Sequence, residues 1–493
     1  MVGKKLISVI MAALMVSSVL LAGCSDNSAE KDSANSTSGV LTVGEESETT
    51  LSDELPEENF EGYEFRMLIR NDKGWIEDMY AEALDADIMN DAIFNRNATV
   101  SERFNVSFKV IPSSNGNVET DGVKTITSGD DAYDIIIPHA RASFVYALQN
   151  LIVDWNSDAL EYVDLDKPWW DQAVRENLSV NNKLFMMTGD ISYKNFGATN
   201  AMLFNKGILE DLNLDYPYQL VNDNKWTFDK FTEYAKQGTD DLNGDGKIAF
   251  ADDRLGYVTD EWIGPIQVLY SGNQKIVQKD EDDVPYLSLN TEMTVSVFEK
   301  FFALIDSDDA HCAPWEGLDT STASATGIYG RFTRNQAMFL DTNIRGVIFL
   351  RDMDTNFGIV PWPKFNENID KYYSNVDAGC NIIIVPITNQ VMSLTSIILE
   401  ALAAEGYKTV IPAYFDVALS TKYSRDDESA EMLNYLKEAR VYDLGYYDMN
   451  NPLNSIGKEM FSTKNRDFTS LYKKHEKAAN KQIEKTIDAY NKG

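Results

Sequence analysis

Oxygen-bearing side chains recur at alternate positions in TDDLNGDGKIAFADDRLGY, residues 239–257. Counted from Asp241, position 3 is Asn243, position 5 is Asp245 and position 6 is Gly246. Position 7 is Lys247, which can offer only its carbonyl; position 8 is Ile248 and position 12 is Asp252. This is the spacing of an EF-hand-like calcium loop: oxygens from every second residue, a glycine at the sharp turn and an apolar anchor at position 8. The same residue types also suit a metal-free Asp/Gly turn. Position 12 carries Asp rather than the longer Glu, and position 9 is Ala249, so a ligand there has to be water. No exit helix follows the loop and no second loop is present, so calcium is expected as a structural staple rather than as a sensor. The expected affinity is of the extracellular kind, on the order of 10⁻⁴–10⁻³ M.

Other residues have the chemistry to hold a small polar ligand. Aromatic rings stack on apolar faces, while carboxylates and arginines bond hydroxyls. His139 and Arg141 follow the apolar run DIII; Asp190 and Tyr193 lie in the stretch 184–206; Trp262, Asp341, Arg345 and Asp377 come later. For Arg141 the competing role is a salt bridge on an acidic surface. Trp169 and Trp170 in PWWD are expected to pack rather than to form a platform. His139, His311 and His475 share no metal-ligand spacing. His475 falls on an apolar helical stripe with Phe468, Leu471, Tyr472, Ala479, Ile483 and Ile487 and reads as a packed residue. Cys312 and Cys380 can be free or paired. No nucleophile elbow, zinc helix, phosphate loop or dinucleotide fingerprint is present. A glycosidase needs two carboxylates across a cleft, but among 78 acidic residues such pairs arise by chance and decide nothing.

The elements that position these residues follow an α/β order. YEFRMLIR (63–70) and VSFKVI read as strands, with a helical period through Ile88, Ala92, Ile93, Asn97 and Val100 between them. Ile135 to Ile137 read as a parallel strand buried on both faces. The stretch 184–206 has no helical period and reads as the chain crossing to a second lobe. There, Thr227 caps a helix closed by Gly238. AGCNIIIVP (378–386) reads as a buried strand and a second crossing, residues 389–406 as a helix, and the last 65 or so residues as mainly helical. The boundaries are lobe 1 at 61–190 and 378–413, and lobe 2 at 191–377 and 414–493. Two lobes joined by hinge strands place a ligand in the groove between them.

The ends add an address. Lys4 and Lys5, an apolar run and Leu21-Ala22-Gly23-Cys24 resemble a lipoprotein signal, with cleavage after residue 23 and diacylglyceryl and palmitate-type acylation at Cys24. Residues 24–60 are polar and read as a disordered tether. Loss of residues 1–23 takes the formal charge from −34 to −36. That excess repels nucleic acid and anionic head groups, so contact with the membrane is expected through the lipid anchor alone.

Taken in order, NDAIFNRNATVSERFNV, DAYDIIIPHA, PWWDQAVRENLSVNNKLFMMTGD, LFNKGILEDL, KWTFDKFTEYAK, FGIVPWPK and RDDESAEMLNYL resemble the bacterial extracellular solute-binding proteins of family 1, the lipoproteins that serve ABC importers. The resemblance implies a two-lobed, type II periplasmic-binding-protein-like fold. It implies a monomer on the outer face of the cell membrane that binds a solute, most often a sugar, and delivers it unaltered to permease subunits. The competing classes are a secreted glycosidase and a surface glycan-binding lipoprotein without a transporter.

Overall fold

Ile135, Ile136 and Ile137 are fully buried and form β3 of a parallel sheet. A computed structural model of the protein describes residues 51–114, 117–314, 327–350, 353–415 and 427–492. The signal segment, Cys24 and nearly all of the tether lie outside the described residues. The strands in chain order are β1 (Tyr63–Ile69), β2 (Val106–Pro112), β3 (Ile135–Ile137), β4 (Asn200–Asn205), β5 (Leu255–Asp260), β6 (Val277–Lys279), β7 (Pro285–Leu287), β8 (Ala310–Ala313), β9 (Ala337–Asn343) and β10 (Phe357–Val360).

The first lobe is built on the parallel order β2-β1-β3. The helix Ile88–Phe104 packs beside it. Asp87 caps the helix by accepting from the N–H groups of Met89 and Asn90, and Asn105 ends it in the left-handed region at φ 50°. The second lobe holds the mixed order β10-β4-β9-β5-β8, with β6 and β7 as a separate hairpin. Its helix Phe228–Gly238 starts at Thr227, whose side chain accepts from the N–H of Lys230, and buries Phe228, Phe231, Tyr234 and Ala235. Residues 378–386 differ from expectation. Ile382 to Val385 are fully buried, but the segment makes only isolated antiparallel bridges: His139 with Asn381, Met187 with Ile383, Ile136 with Ile384 and Ile152 with Pro386. Its neighbours are a three-residue strand and a crossing segment, so no continuous ladder forms.

Those bridges bring the crossing segments together. Ile383 and Met187 exchange main-chain bonds of 2.7 and 3.0 Å, and the N–H of Asp377 donates to the carbonyl of Ala198 at 2.8 Å. A third segment joins at residues 374–376, which run parallel to Arg440–Val441. Buried polar groups lock this hinge. The Asp78 carboxylate, fully buried, accepts from Ser192 Oγ at 2.5 Å, from the Lys194 N–H at 3.3 Å and from Asn381 Nδ2. Burial pushes its pKa up. Arg96, also buried, donates to the carbonyls of Ile191 and Met79 and to Asn97. The carboxylate of Asp171 takes Arg440, Tyr442 and Asn195, so the first and third segments are tied as well.

Trp169 and Trp170 are packed, as their context indicates. Both indoles donate to the buried Glu400 carboxyl, at 2.9 and 2.8 Å, and burial raises Glu400 to about 7. His475 sits half-buried beside Glu459 at 2.7 Å. Cys312 and Cys380 are free and buried.

Two outcomes follow. Arg96→Ala removes the donor from two buried carbonyls and should cost about 3 kcal/mol or more in urea unfolding. Lys109→Ala, which breaks a half-exposed pair with Glu64, should cost about 1 kcal/mol or less. Equal costs would mean that Arg96 does not hold the hinge. Glu400 has a folded pKa above its unfolded one. The stability it contributes is therefore complete below about pH 4 and is lost as pH rises through about 7. Glu400→Gln should flatten the fall in melting temperature between mildly acidic and alkaline buffer; an unchanged slope places that titration elsewhere.

Candidate functional site

The carboxyl ends of β1, β3, β5 and β9 point at one place. Just past them stand Arg70, His139, Trp262 and Arg345, and all four line an interlobe cavity of ≈ 970 Å³. This is the position expected of a ligand site in an α/β protein. Six of the eight residues predicted to face a ligand line the cavity: His139, Arg141, Tyr193, Trp262, Arg345 and Asp377.

Two do not. Asp341 is fully buried inside lobe 2. It lies two residues short of the end of β9, and its carboxyl accepts from Tyr257 Oη at 2.8 Å and Trp362 Nε1 at 3.2 Å. Burial raises it to about 8, so it is a protonated core residue at neutral pH. Asp190 lines a different cavity of ≈ 440 Å³ beside Trp169, Lys371, Lys437 and Arg440. Its main-chain N–H bonds the carbonyl of Trp169, which turns it away from the cleft.

Within the cleft, charge and aromatic faces are interleaved. Arg141 comes from the helix Ala140–Ala147 of lobe 1. Its guanidinium lies between the rings of Trp262 and Tyr446 of lobe 2, 5.0 and 4.5 Å from their centroids. Lys458 covers Trp262 at 4.1 Å. Arg70 covers Trp75 at 4.8 Å, and Arg345 approaches the same ring at 5.9 Å. Such contacts hold a cation by the ring quadrupole. Tyr193 and Tyr414 form a ring pair at 5.1 Å.

At the floor, Arg345 pairs with Asp377 at 2.5 Å and donates to the Gly379 carbonyl at 3.2 Å. A side chain at Gly379 would lie 2.6 Å from the Asp377 carboxylate and 3.3 Å from the Arg345 guanidinium, so it would displace this pair from its present position. Burial acts to raise Asp377, but the charges of Arg345 and Arg141 outweigh it and its pKa is lowered. His139 is lowered to about 4, first by burial and then by Arg70, Arg141 and Arg345, against the opposing pull of Asp377. It is neutral at physiological pH and can both donate and accept.

Arg70, Trp75, Lys194, Asn343, Tyr446 and Lys458 also line the cleft and were not among the predicted residues. Arg70 was findable, since it is the last residue of YEFRMLIR. Tyr446 and Lys458 lie in the helical C-terminal region, and no local pattern points them at the cleft.

The loop at 241–252 is a tight turn. Asp241 accepts from the N–H groups of Gly244, Asp245 and Gly246, Asn243 from Asp245, and Asp245 from Lys247. Gly246 has φ 82°. The residue that closes the turn is Asp253, fully buried and bonded to the N–H groups of Leu242 and Ala249; Asp252 is exposed. Among the described residues no three acidic, His or Cys side chains gather to hold a metal ion.

No protein-family model and no curated protein matches the sequence. Solved structures do match. UspC of M. tuberculosis superimposes with a TM-score of 0.54 at 13% identity, over 85% of this chain and 99% of that one. CpMnBP1 with mannotriose bound gives 0.52 at 14% identity, over 86% and 100%. A cyclo/maltodextrin-binding protein complexed with maltotetraose gives 0.51 at 11% identity, over 87% and 96%.

One titration tests the electrostatics of the site. His139 should show an apparent pKa near 4 by NMR, and Asp377→Asn should lower it further by removing the one nearby carboxylate that favours its proton. Because the folded pKa lies below the unfolded value of about 6.5, the stability from His139 is present above that value and lost as pH falls through about 4. A value near 6.5 would place His139 in solvent.

Proposed function

We propose, from the two-lobed fold that it shares with solved substrate-binding proteins, an ABC substrate-binding protein among them, that the chain captures a small carbohydrate in the interlobe cleft, leaves it chemically unaltered and hands it to the permease subunits of an ABC importer. We further propose that an acylated Cys24 tethers it to the outer face of a bacterial cell membrane. The observation that carries the reading is the cleft itself: aromatic faces from both lobes, with arginines and a neutral histidine between them, at the carboxyl ends of the strands. Structures of this fold bound to maltotetraose and to mannotriose support a saccharide. No helix among the described residues is long and apolar enough to cross a membrane.

Capture without chemistry needs closure, and the hinge suits it. Three segments cross between the lobes, so the lobes can rotate while the Asp78 and Asp171 networks keep their axis. Arg141 already reaches from one lobe into the aromatic pair of the other and serves as a latch. Calcium is proposed as a staple of lobe 2 through Asp241, Asn243, Asp245, the Lys247 carbonyl and Asp252. The alternating oxygens and the positive φ at Gly246 support it.

An oligosaccharide panel in a thermal-shift assay should contain a ligand that raises the melting temperature and is recovered intact. Trp262→Ala should weaken that ligand by about 2 kcal/mol or more. Hydrolysis of the ligand would instead point to a glycosidase. For calcium, millimolar ion should raise the melting temperature and Asp245→Ala should abolish the rise; a melting curve indifferent to chelator rules the staple out.

A further inference from the structure

The chain carries 78 acidic and 44 basic residues, yet its cleft has the opposite balance. Arg70, Arg141, Lys194, Arg345 and Lys458 line it, against Asp87, Asp260 and Asp377. Each of those carboxylates is already committed. Asp87 caps the helix Ile88–Phe104. Asp260 accepts from the N–H groups of Trp262 and Ile263 at 2.7 and 2.9 Å. Asp377 is paired with Arg345. Lys458 is taken by Glu261 at 2.8 Å. Among the described residues, Arg70, Arg141 and Lys194 have no carboxylate at ion-pair distance.

Arg70 and Arg141 are also held in place at the cavity wall. Each guanidinium lies over an aromatic ring, which fixes its plane. The Arg141 Nε is buried and has no hydrogen-bond partner in the protein. A partly buried guanidinium with no carboxylate in contact is costly. Asp377 acts on Arg141, and Asp72 and Glu119 on Arg70, only through space, and a carboxylate on the ligand would supply the direct partner that both lack. His139, at the same wall, is held neutral first by burial, with Arg70, Arg141 and Arg345 adding to it against Asp377.

We propose that the captured saccharide is acidic: the cleft is built for an oligosaccharide bearing uronic-acid carboxylates, received by Arg70 and Arg141 through their planar N–H edges. This rests on the saccharide reading given above and names the class within it.

The test uses the purified full chain in detergent and titration calorimetry. The probes are a galacturonate trimer, a glucuronate-bearing xylan fragment and the carboxyl-reduced counterpart of each, alongside the neutral oligosaccharide panel. At least one acid should bind about tenfold or more tighter than its reduced counterpart, the scale of one charge-assisted bond, and the advantage should shrink as salt is added. Arg70→Gln and Arg141→Gln, checked for unchanged melting, should bring the acid-to-neutral ratio toward one. If neutral or reduced saccharides bind as well as the acids, the acidic class is wrong and saccharide capture stands. If neither acidic nor neutral saccharides bind, the saccharide reading falls and this proposal with it. An acid preference that survives both substitutions overturns the assignment to these arginines.

Discussion

A buried carboxylate at the hinge is the constraint on which the two-lobed arrangement depends. Asp78 belongs to lobe 1 and takes its bonds from Ser192 and Lys194 in one crossing segment and from Asn381 in the other. Arg96 then fastens the first segment through the carbonyl of Ile191. A buried polar group left without partners costs several times what a satisfied one contributes. Moving any one segment would strand the others' donors, so the crossing segments are held as a unit. That is how segments with only isolated bridges between them can still act as an axis.

The body and the cleft obey different electrostatics. The body's negative excess is spread over solvated surface and favours solubility. The cleft is half-enclosed and lined by rings, so charges there are screened less and count for more. Arginines on aromatic faces and a histidine kept neutral chiefly by burial are consistent with that setting. Buried acids elsewhere answer the same problem by holding their protons to higher pH: Asp341 behind the cleft and Glu400 beneath the two tryptophans are both raised by burial, to about 8 and about 7.

The acidic loop shows how far spacing alone can be read. Oxygens at alternate positions are a property of the chain, and the positive φ of Gly246 follows from the turn. Which carboxylate closes the loop is not set by counting. Asp253 does so, because the chain enters β5 directly after it and turns its side chain back onto the N–H groups of Leu242 and Ala249. Asp252, at the counted position, is exposed.

Local patterns determined much of the fold. Caps at Asp87 and Thr227, the apolar run 135–137 and the stripe along Phe468–Tyr490 each reflect interactions within a few residues, so composition and period reveal them. The rule that ligands sit at strand ends was enough to select His139, Arg141, Trp262, Arg345 and Asp377. It failed for Asp341, because a shift of two residues along a strand moves a side chain from the rim to the core, and for Asp190, because the direction of a crossing segment is set by the hinge. Only the tertiary structure could bring Tyr446 and Lys458 to a cleft begun by Arg70 and Trp75. Those contacts join residues hundreds of positions apart, and their geometry comes from how the two lobes pack, which no local sequence pattern encodes.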